Sequence, residues 1–490
     1  MFKPALGIII GRMIGFAVAF AIPIVLVRVF DIETFGTYKQ WFLLYITILS
    51  ISQIGMSESL LYFLPRAGRD AGEYMMNALL FLTVIGVMTA VVLISLAERI
   101  AVWMGNPMLA PLIPPLALFL VLMQAAISLE TVMTARTRYA WASAAYAGSD
   151  IVRTAFFLIP IAIIPVLPSL IYGAVAFGIL RLSIALWYYR HEFGPALRPD
   201  MQVFARQLVY ALPFALYVVA HVAQENLHQY AVAGLFDTAT FAIYSVGCLQ
   251  IPLVDMVSTT VCNVMMVSMA KEVQHGRDSK VLELWYDTVR KLALVFFPLV
   301  GLLLLVARDV IVLLFTKTYL ASVPIFMVGV LAILLSAVPI DGLLRVYAKT
   351  RTLLVINLVR LGIIALLIYG LVKLFGLVGA VLVTVFALAV GKSIGLWSMM
   401  KIWRVGVGDV LPWRALATVA IASAAAALPA FAVDFSLHSI PLIRLFAVGV
   451  VYTGGYLTMI LVLGLLQEDE RAWLWNWAGR ARLTLRSTRS

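Results

Sequence analysis

The sequence has little charge and almost no cysteine. Only 12% of its 490 residues are charged, about half the share in a soluble domain, whereas 63% are hydrophobic. This composition excludes a soluble enzyme, a disordered chain and a nucleic-acid-binding protein, despite a net charge of +12. Cys248 and Cys262 would be about 21 Å apart on one helix, which is too far for a disulfide bond.

Catalytic motifs are also missing. The sequence contains no glycine-rich phosphate loop followed by Lys, no nucleophile elbow and no Cys/His metal cluster. His221 and His228 lie two helical turns apart and lack further convergent ligands, so we expect no metal site. The sequence therefore predicts a protein that is not an enzyme and that holds no resident cofactor.

Long apolar runs fill nearly the whole chain. A bilayer span needs about 20 apolar residues, and charge clusters, Pro and Gly divide the chain into about fourteen such runs. The predicted spans are 4–30, 39–64, 74–97, 108–131, 143–165, 169–190, 206–234, 241–270, 286–307, 320–344, 352–373, 377–402, 414–433 and 441–466. The sequence therefore predicts an all-α polytopic membrane protein.

Basic residues concentrate in every second loop between these spans. About two thirds of the 36 Lys and Arg residues fall on one side of the membrane and about a sixth on the other. The positive-inside rule then predicts that both termini are cytoplasmic. Trp473, Trp475 and Trp477 lie among arginines near the C-terminus, and this pattern predicts a basic interfacial helix.

The chain contains an internal repeat. Segments 30–38 and 236–244 are identical at five of nine positions, and further matches keep the same order at offsets of 206–210. Six spans per copy is an even number, so we expect two parallel six-helix lobes around a central cavity, plus two extra C-terminal helices. The predicted boundaries are 1–200 for the N-lobe, 201–405 for the C-lobe, 406–466 for spans 13 and 14, and 467–490 for the cytoplasmic tail.

Four segments mark the ends of spans in a characteristic order. They are 28–38, Leu212 with Pro213, 233–245 and 313–326. In this order they resemble the multidrug/oligosaccharidyl-lipid/polysaccharide (MOP) exporter superfamily, and within it the Wzx-like flippases of lipid-linked oligosaccharides. The chain departs from many of these relatives late in span 7, where His228 and Gln229 replace an Asp-Arg pair.

The resemblance implies a function. It implies a flippase that moves polyprenyl-diphosphate-linked oligosaccharide repeat units across the bacterial inner membrane by alternating access, for surface polysaccharide assembly. The implied substrate is an undecaprenyl-diphosphate-linked glycan. The implied partners are membrane lipids and, as candidates, a polysaccharide polymerase with its chain-length machinery. Coupling to H⁺ or Na⁺ is left open.

Several cations lie inside predicted spans. The candidate substrate-binding residues are Arg12, Arg153, Arg181, Arg360 and Lys392. A central cation facing lipid costs about 2.5–3.5 kcal/mol, so these side chains either pair within the protein or line a basic pocket for a diphosphate. Asp150 lies one turn before Arg153 and can neutralise it, whereas Asn357 takes that place beside Arg360. We expect Glu130 to be hydrated at a span end.

Span 7 carries a polar stripe. His221, Gln224, Glu225 and His228 recur at helical spacing on one face. The stripe is interpreted either as the wall of a cavity or as an interhelical hydrogen-bond seam. Glu225, together with Asp255 in span 8, is the candidate for ion coupling.

Two other functions compete with a flippase. A cation-coupled multidrug antiporter of the same superfamily would show an acid-dominated cavity and twelve spans. A membrane glycan polymerase or ligase would need a large periplasmic loop, whereas the outward loops here are short. The basic residues inside spans and the extra pair of helices favour an anionic lipid substrate.

Overall fold

The computed structural model of the protein describes residues 2–437 and 440–465. This described part contains nineteen α-helices, short 3-10 turns and no strand. The helices are α1 (Phe2–Val29), α2 (Ile32–Ser52), α3 (Met56–Phe63), α4 (Ala71–Ser95), α5 (Ala97–Trp103), α6 (Ile113–Ala126), α7 (Leu129–Ala135), α8 (Tyr139–Ile163), α9 (Leu167–Phe193), α10 (Met201–Leu235), α11 (Thr238–Gly247), α12 (Pro252–Gln274), α13 (Asp278–Leu305), α14 (Ala307–Phe315), α15 (Val323–Ser336), α16 (Ile340–Val346), α17 (Thr350–Trp403), α18 (Trp413–Ser436) and α19 (Pro441–Val462). The predicted tail 467–490 and the side chain of Arg12 lie outside the described residues.

The helices are long and apolar enough for a polytopic membrane protein, as predicted. Eleven helical segments of the described chain can cross a membrane, or twelve if α2 and α3, which meet at 44°, form one span. Helix α17 is 54 residues long and is broken at Gly376, where φ is 59°. Each of its two limbs exceeds the roughly 20 residues of a bilayer span. The count of about fourteen spans stays a prediction.

The order of the helices repeats along the chain. Helices α5, α6, α7 and α8 recur at a nearly constant offset as α14, α15, α16 and α17. The paired helices α6 and α15 both have 14 residues, and α7 and α16 both have 7. The internal repeat predicted from the sequence is therefore present in the structure.

One predicted alignment between the two copies of the repeat is wrong. The sequence aligns Arg153 with Arg360, whereas α8 begins at Tyr139 and α17 at Thr350, which aligns Arg153 with Ile364. The two arginines therefore lie one helical turn apart in equivalent helices. A shift by one turn keeps the same face of a helix, so local sequence identity cannot detect it.

The two copies of the repeat begin a helix in the same way. Asp31 caps α2 by accepting from the Thr34 amide at 2.7 Å, and Asp237 caps α11 by accepting from the Thr240 amide at 2.7 Å. These caps satisfy amides that a helix start leaves unpaired. At Gly36 the backbone of α2 approaches the carbonyl of Thr238 so closely that a Cβ would overlap it.

The chain divides into two compact units. The first comprises Met1–Leu249, Leu314–Ile325 and Leu354–Ala387, and the second comprises Gln250–Leu313, Phe326–Leu353 and Leu388–Ser490. Buried residues of α3, α4, α7 and α9 form a core in the first unit, whereas α18 and α19 pack together in the second. The lobes predicted at 1–200 and 201–405, and the cavity between them, stay predictions.

Candidate functional site

Every predicted deep cation whose side chain is described forms an ion pair. The pairs are Arg153 Nη2 to Asp150 Oδ1 at 2.8 Å, Arg181 Nη2 to Glu130 Oε2 at 2.8 Å, Arg360 Nη2 to Glu225 Oε1 at 3.4 Å, and Lys392 Nζ to Asp341 Oδ2 at 3.1 Å. Opposite charges in contact reduce the cost of keeping each group inside an apolar segment. The internal pairing considered from the sequence is therefore present in the structure. Binding of substrate by these residues stays a prediction.

The Arg181–Glu130 pair is the most enclosed of the four. The side chains of Arg181 and Glu130 are only 12% and 5% exposed. Arg181 also donates to the Ser149 hydroxyl at 2.6 Å. The expectation that Glu130 is hydrated at a span end is wrong, because α7 is a short helix that turns this carboxylate inward against α9.

The same pair occurs in both copies of the repeat. Glu130 is the second residue of α7, and Asp341 is the second residue of the equivalent helix α16. Their partners Arg181 and Lys392 are related by the same offset along the chain. The second copy is more open, since Asp341 is 52% exposed. In each repeat the fold therefore ties a short helix to the second long helical segment after it, which is α9 in the first copy and the limb of α17 after Gly376 in the second.

Arg153 pairs within its own helix, as the spacing predicts. Its contact with Asp150 spans three residues of α8, and both side chains are about a quarter exposed. A pair of this kind is worth only a fraction of a kcal/mol when it is accessible to water.

Arg360 pairs across helices. Its acceptor Glu225 belongs to α10, and the Glu225 side chain is 48% exposed, whereas that of Arg360 is 16% exposed. Gln224 donates to the same carboxylate at 3.3 Å and lies 3.2 Å from His221 Nδ1. His221, Gln224, Glu225 and Arg360 thus form one polar cluster in the first unit, which we name the Arg360 cluster.

The far end of the predicted stripe has another role. His228 Nδ1 lies 2.6 Å from the Tyr244 hydroxyl of α11. Asn226 donates to the Thr47 hydroxyl of α2 at 3.0 Å. The stripe is therefore split: His228 joins a hydrogen-bond seam between helices, while His221 and Glu225 are exposed.

The remaining candidates lie elsewhere in the chain. Asp255 is an exposed residue in the first turn of α12, in the second unit. No group of three potential metal ligands occurs among the described residues.

One buried charge cluster is not predicted from the sequence. Arg444 of α19 pairs with Asp309, and its Nε lies 3.5 Å from Asp434 Oδ1. Asp309 is only 2% exposed. The sequence did contain a sign of this cluster: Arg444 lies one turn inside its predicted span, and Asp309 and Asp434 lie near the ends of two other helices.

Solved structures of membrane transporters share this fold. A lipid II flippase MurJ in an inward closed conformation matches with a TM-score of 0.70 and 13% identity, over 94% of this chain and 100% of that chain. An inward-facing multidrug resistance MATE family transporter of the MOP superfamily has a TM-score of 0.62 and 12% identity, over 80% and 98%. A MOP superfamily transporter from Pyrococcus furiosus has a TM-score of 0.59 and 14% identity, over 82% and 97%.

Sequence comparison identifies the family. No curated protein matches the sequence significantly. The model of the polysaccharide biosynthesis protein family, however, matches residues 25–324, which is more than half of the chain. With the structural matches, this establishes that the chain belongs to the polysaccharide biosynthesis protein family and has the fold of the MOP exporter superfamily.

Proposed function

We propose that the protein is a flippase that moves polyprenyl-diphosphate-linked oligosaccharides across the bacterial inner membrane for surface polysaccharide assembly. The family match over residues 25–324 carries this proposal. A fold similar to that of a lipid II flippase over 94% of the chain supports it. Both termini are cytoplasmic in this proposal, and a polysaccharide polymerase and its chain-length machinery receive the product. The parallel repeat favours alternating access.

Arg360 is the residue that we assign to the diphosphate. Its 3.4 Å contact with Glu225 is the longest of the four pairs, and half of the Glu225 side chain is exposed. A diphosphate carries more negative charge than a carboxylate and accepts two parallel hydrogen bonds from one guanidinium group, so it can replace Glu225. Arg181 is less available, because Glu130 and Ser149 already hold it. Arg12, Arg153 and Lys392 are secondary candidates.

Glu225 is the residue that we assign to ion coupling. When a diphosphate takes Arg360, the freed carboxylate loses its cation and faces a second anion, and binding a proton relieves that repulsion. His221 and Gln224 lie next to it as polar neighbours. Asp255 is the corresponding candidate in the second unit. Substrate entry and proton uptake are then linked at one ion pair.

A reconstituted assay tests the proposal. Proteoliposomes are loaded with polyprenyl-diphosphate oligosaccharide, and its appearance in the opposite leaflet is measured alongside efflux of a cationic dye. We expect movement of the glycolipid and no efflux of the dye. Arg360→Ala abolishes the movement, and Arg360→Lys restores it partly, because an ammonium group keeps the charge but loses the planar fork.

Controls separate transport from folding. The exposed Arg69→Gln removes a positive charge away from the Arg360 cluster and leaves transport unchanged. Melting temperatures of all variants are measured in detergent. Normal transport by Arg360→Ala, or a loss that only follows the loss of folded protein, contradicts the assignment of Arg360. Dye efflux without glycolipid movement identifies a multidrug antiporter instead.

A further inference from the structure

A cleft of about 550 Å³ lies between α8 and α9 in the first unit. The middle of its α8 wall is formed by small residues on one helix face, namely Ala144, Ala145, Gly148 and Ser149. Its α9 wall carries larger apolar side chains, among them Phe177, Leu180 and Ile184. The residues of the Arg360 cluster do not line it, so the cleft is a feature separate from the proposed transport site.

The sequence of α8 and α9 explains why the cleft opens at one end. At the other end, Gly173 of α9 approaches the carbonyl of Phe156 so closely that a Cβ would overlap it. The helices therefore touch there, while the small residues of α8 leave space nearer to Tyr139. When the starts of α8 and α17 are aligned, the equivalent positions of the second repeat hold Val355, Ile356, Val359 and Arg360. The cleft is thus built by residues that only the first copy has.

The mouth of the cleft has the character of a membrane interface. Trp141 and Trp187 line it and are 64% and 65% exposed. Exposed tryptophans of a membrane protein concentrate at the level of the lipid headgroups. From Trp141 to Val152 the α8 wall is about 16 Å long, close to the depth of one leaflet's hydrocarbon, about 15 Å.

The mouth also has positive charge that the protein does not neutralise. Glu192 lies there but is paired with Arg136 at 2.8 Å. Arg138 is exposed and forms no ion pair among the described residues. Tyr188 is only 8% exposed, and its buried hydroxyl has no hydrogen-bond partner in the described part of the chain. Arg138 and Glu192 line the same cleft as Tyr188.

The deep end of the cleft offers no further charge. Arg181 lines it, but Glu130 and Ser149 hold its guanidinium group. A ligand that fits therefore carries one anionic group at the mouth and an apolar chain below it. A diphosphate carries more negative charge than Arg138, the one arginine of this lining that forms no ion pair among the described residues, can balance.

We propose that this cleft binds one anionic phospholipid from the adjacent leaflet. Its phosphate accepts hydrogen bonds from Arg138 and the Tyr188 hydroxyl. One acyl chain lies along the small residues of α8, between the two tryptophans. The lipid is a resident ligand of the transporter and differs from the transported glycolipid.

Native mass spectrometry of the full-length protein in detergent tests this proposal. Phosphatidylglycerol is titrated, with phosphatidylcholine and inorganic phosphate as separate arms. Arg138→Gln is expected to weaken binding of phosphatidylglycerol about tenfold, the equivalent of one charge-assisted hydrogen bond. Gly148→Leu fills the cleft and is expected to abolish binding, and its Cβ enters open space, because nothing lies within 4 Å of a Cβ there.

Matched controls lie outside the cleft. Arg69→Gln removes another exposed arginine, and Gly370→Leu fills open space at another helical glycine; both keep native affinity. Equal binding of phosphatidylcholine, full competition by inorganic phosphate, or native affinity in both cleft variants overturns the proposal. Displacement by a polyprenyl diphosphate in a fourth arm also overturns it, since the cleft then belongs to the transported lipid.

Discussion

Arg181 and Arg360 are both arginines deep inside helices of the first unit, yet the protein neutralises them differently. Arg181 contacts Glu130 at 2.8 Å in an enclosed site, whereas Arg360 contacts Glu225 at 3.4 Å where the carboxylate is half exposed. In an enclosed pair, the attraction between the two charges offsets the cost of removing them from water. Loss of either partner then leaves a buried charge without compensation. An open pair can exchange its partner for a ligand. The first pair is therefore suited to holding the fold and the second to binding.

Removal of one partner from the enclosed pair is expected to destabilise the protein strongly. Arg181→Ala leaves Glu130 as a buried, unpaired carboxylate and lowers stability by about 3–5 kcal/mol. Lys392→Ala breaks the equivalent pair of the second repeat with a smaller loss, because Asp341 is 52% exposed and reaches water. Thermal unfolding in detergent measures both.

The double variant Arg181→Ala with Glu130→Ala is the control for this comparison. It removes the stranded charge and recovers much of the stability lost by Arg181→Ala alone. An equal fall in melting temperature for Arg181→Ala and Lys392→Ala would show that enclosure does not set the cost.

The sequence identifies the deep cations, but it pairs only Arg153 with a specific acid. Asp150 is found from the sequence because it lies one turn from Arg153 on the same helix. Glu130 and Glu225 are 51 and 135 residues from their partners, so only the packing of helices brings them together. One signal existed: Glu130 and Arg181 recur as Asp341 and Lys392 at one common offset. The predicted alignment of Arg153 with Arg360 uses a different offset, and at that offset the recurrence of the Glu130–Arg181 pair is not visible.

Helix boundaries show the same division between local and tertiary information. Gly376 breaks α17 within the gap predicted between spans 352–373 and 377–402, because glycine adopts a positive φ that other residues avoid. The predicted span 241–270 is instead two helices, α11 ending at Gly247 and α12 beginning at Pro252. Pro252 was a local sign of this break, since a proline restricts the residue before it, but the apolar run conceals it.

The pair formed by α8 and α9 gives a test of helix packing. Gly173→Ala places a Cβ against the Phe156 carbonyl, a backbone atom that cannot rotate away, and we expect lower stability. Gly148→Ala on α8 enters open space and replaces a poor helix former with the best one, so we expect a gain of up to about 1 kcal/mol. Melting temperatures of the two variants in one detergent give the comparison. A loss at both sites would mean that the open space at Gly148 is absent in the membrane-extracted protein.

The repeat of helices predicts how the whole chain crosses the membrane. Each copy of the repeat contains an even number of predicted spans, so equivalent loops of the two copies face the same side. The concentration of Lys and Arg in alternate loops assigns that side to the cytoplasm. If the first copy of the repeat had one span fewer, equivalent loops of the two copies would face opposite sides of the membrane. The basic loops of the two copies would then no longer lie on the same side.

Truncated fusions to paired reporters, one active only in the periplasm and one only in the cytoplasm, measure this topology. Fusions after residue 238, which begins α11, and after residue 436, which ends α18, are expected to be active in the periplasm. Fusions after residue 195, between α9 and α10, and after residue 408, between α17 and α18, are expected to be active in the cytoplasm. The fusion at 408 is the most sensitive, because it follows both limbs of α17. If α17 crossed the membrane only once, the fusion at 408 would report the periplasm while that at 195 stayed cytoplasmic, and the count of fourteen spans would be wrong.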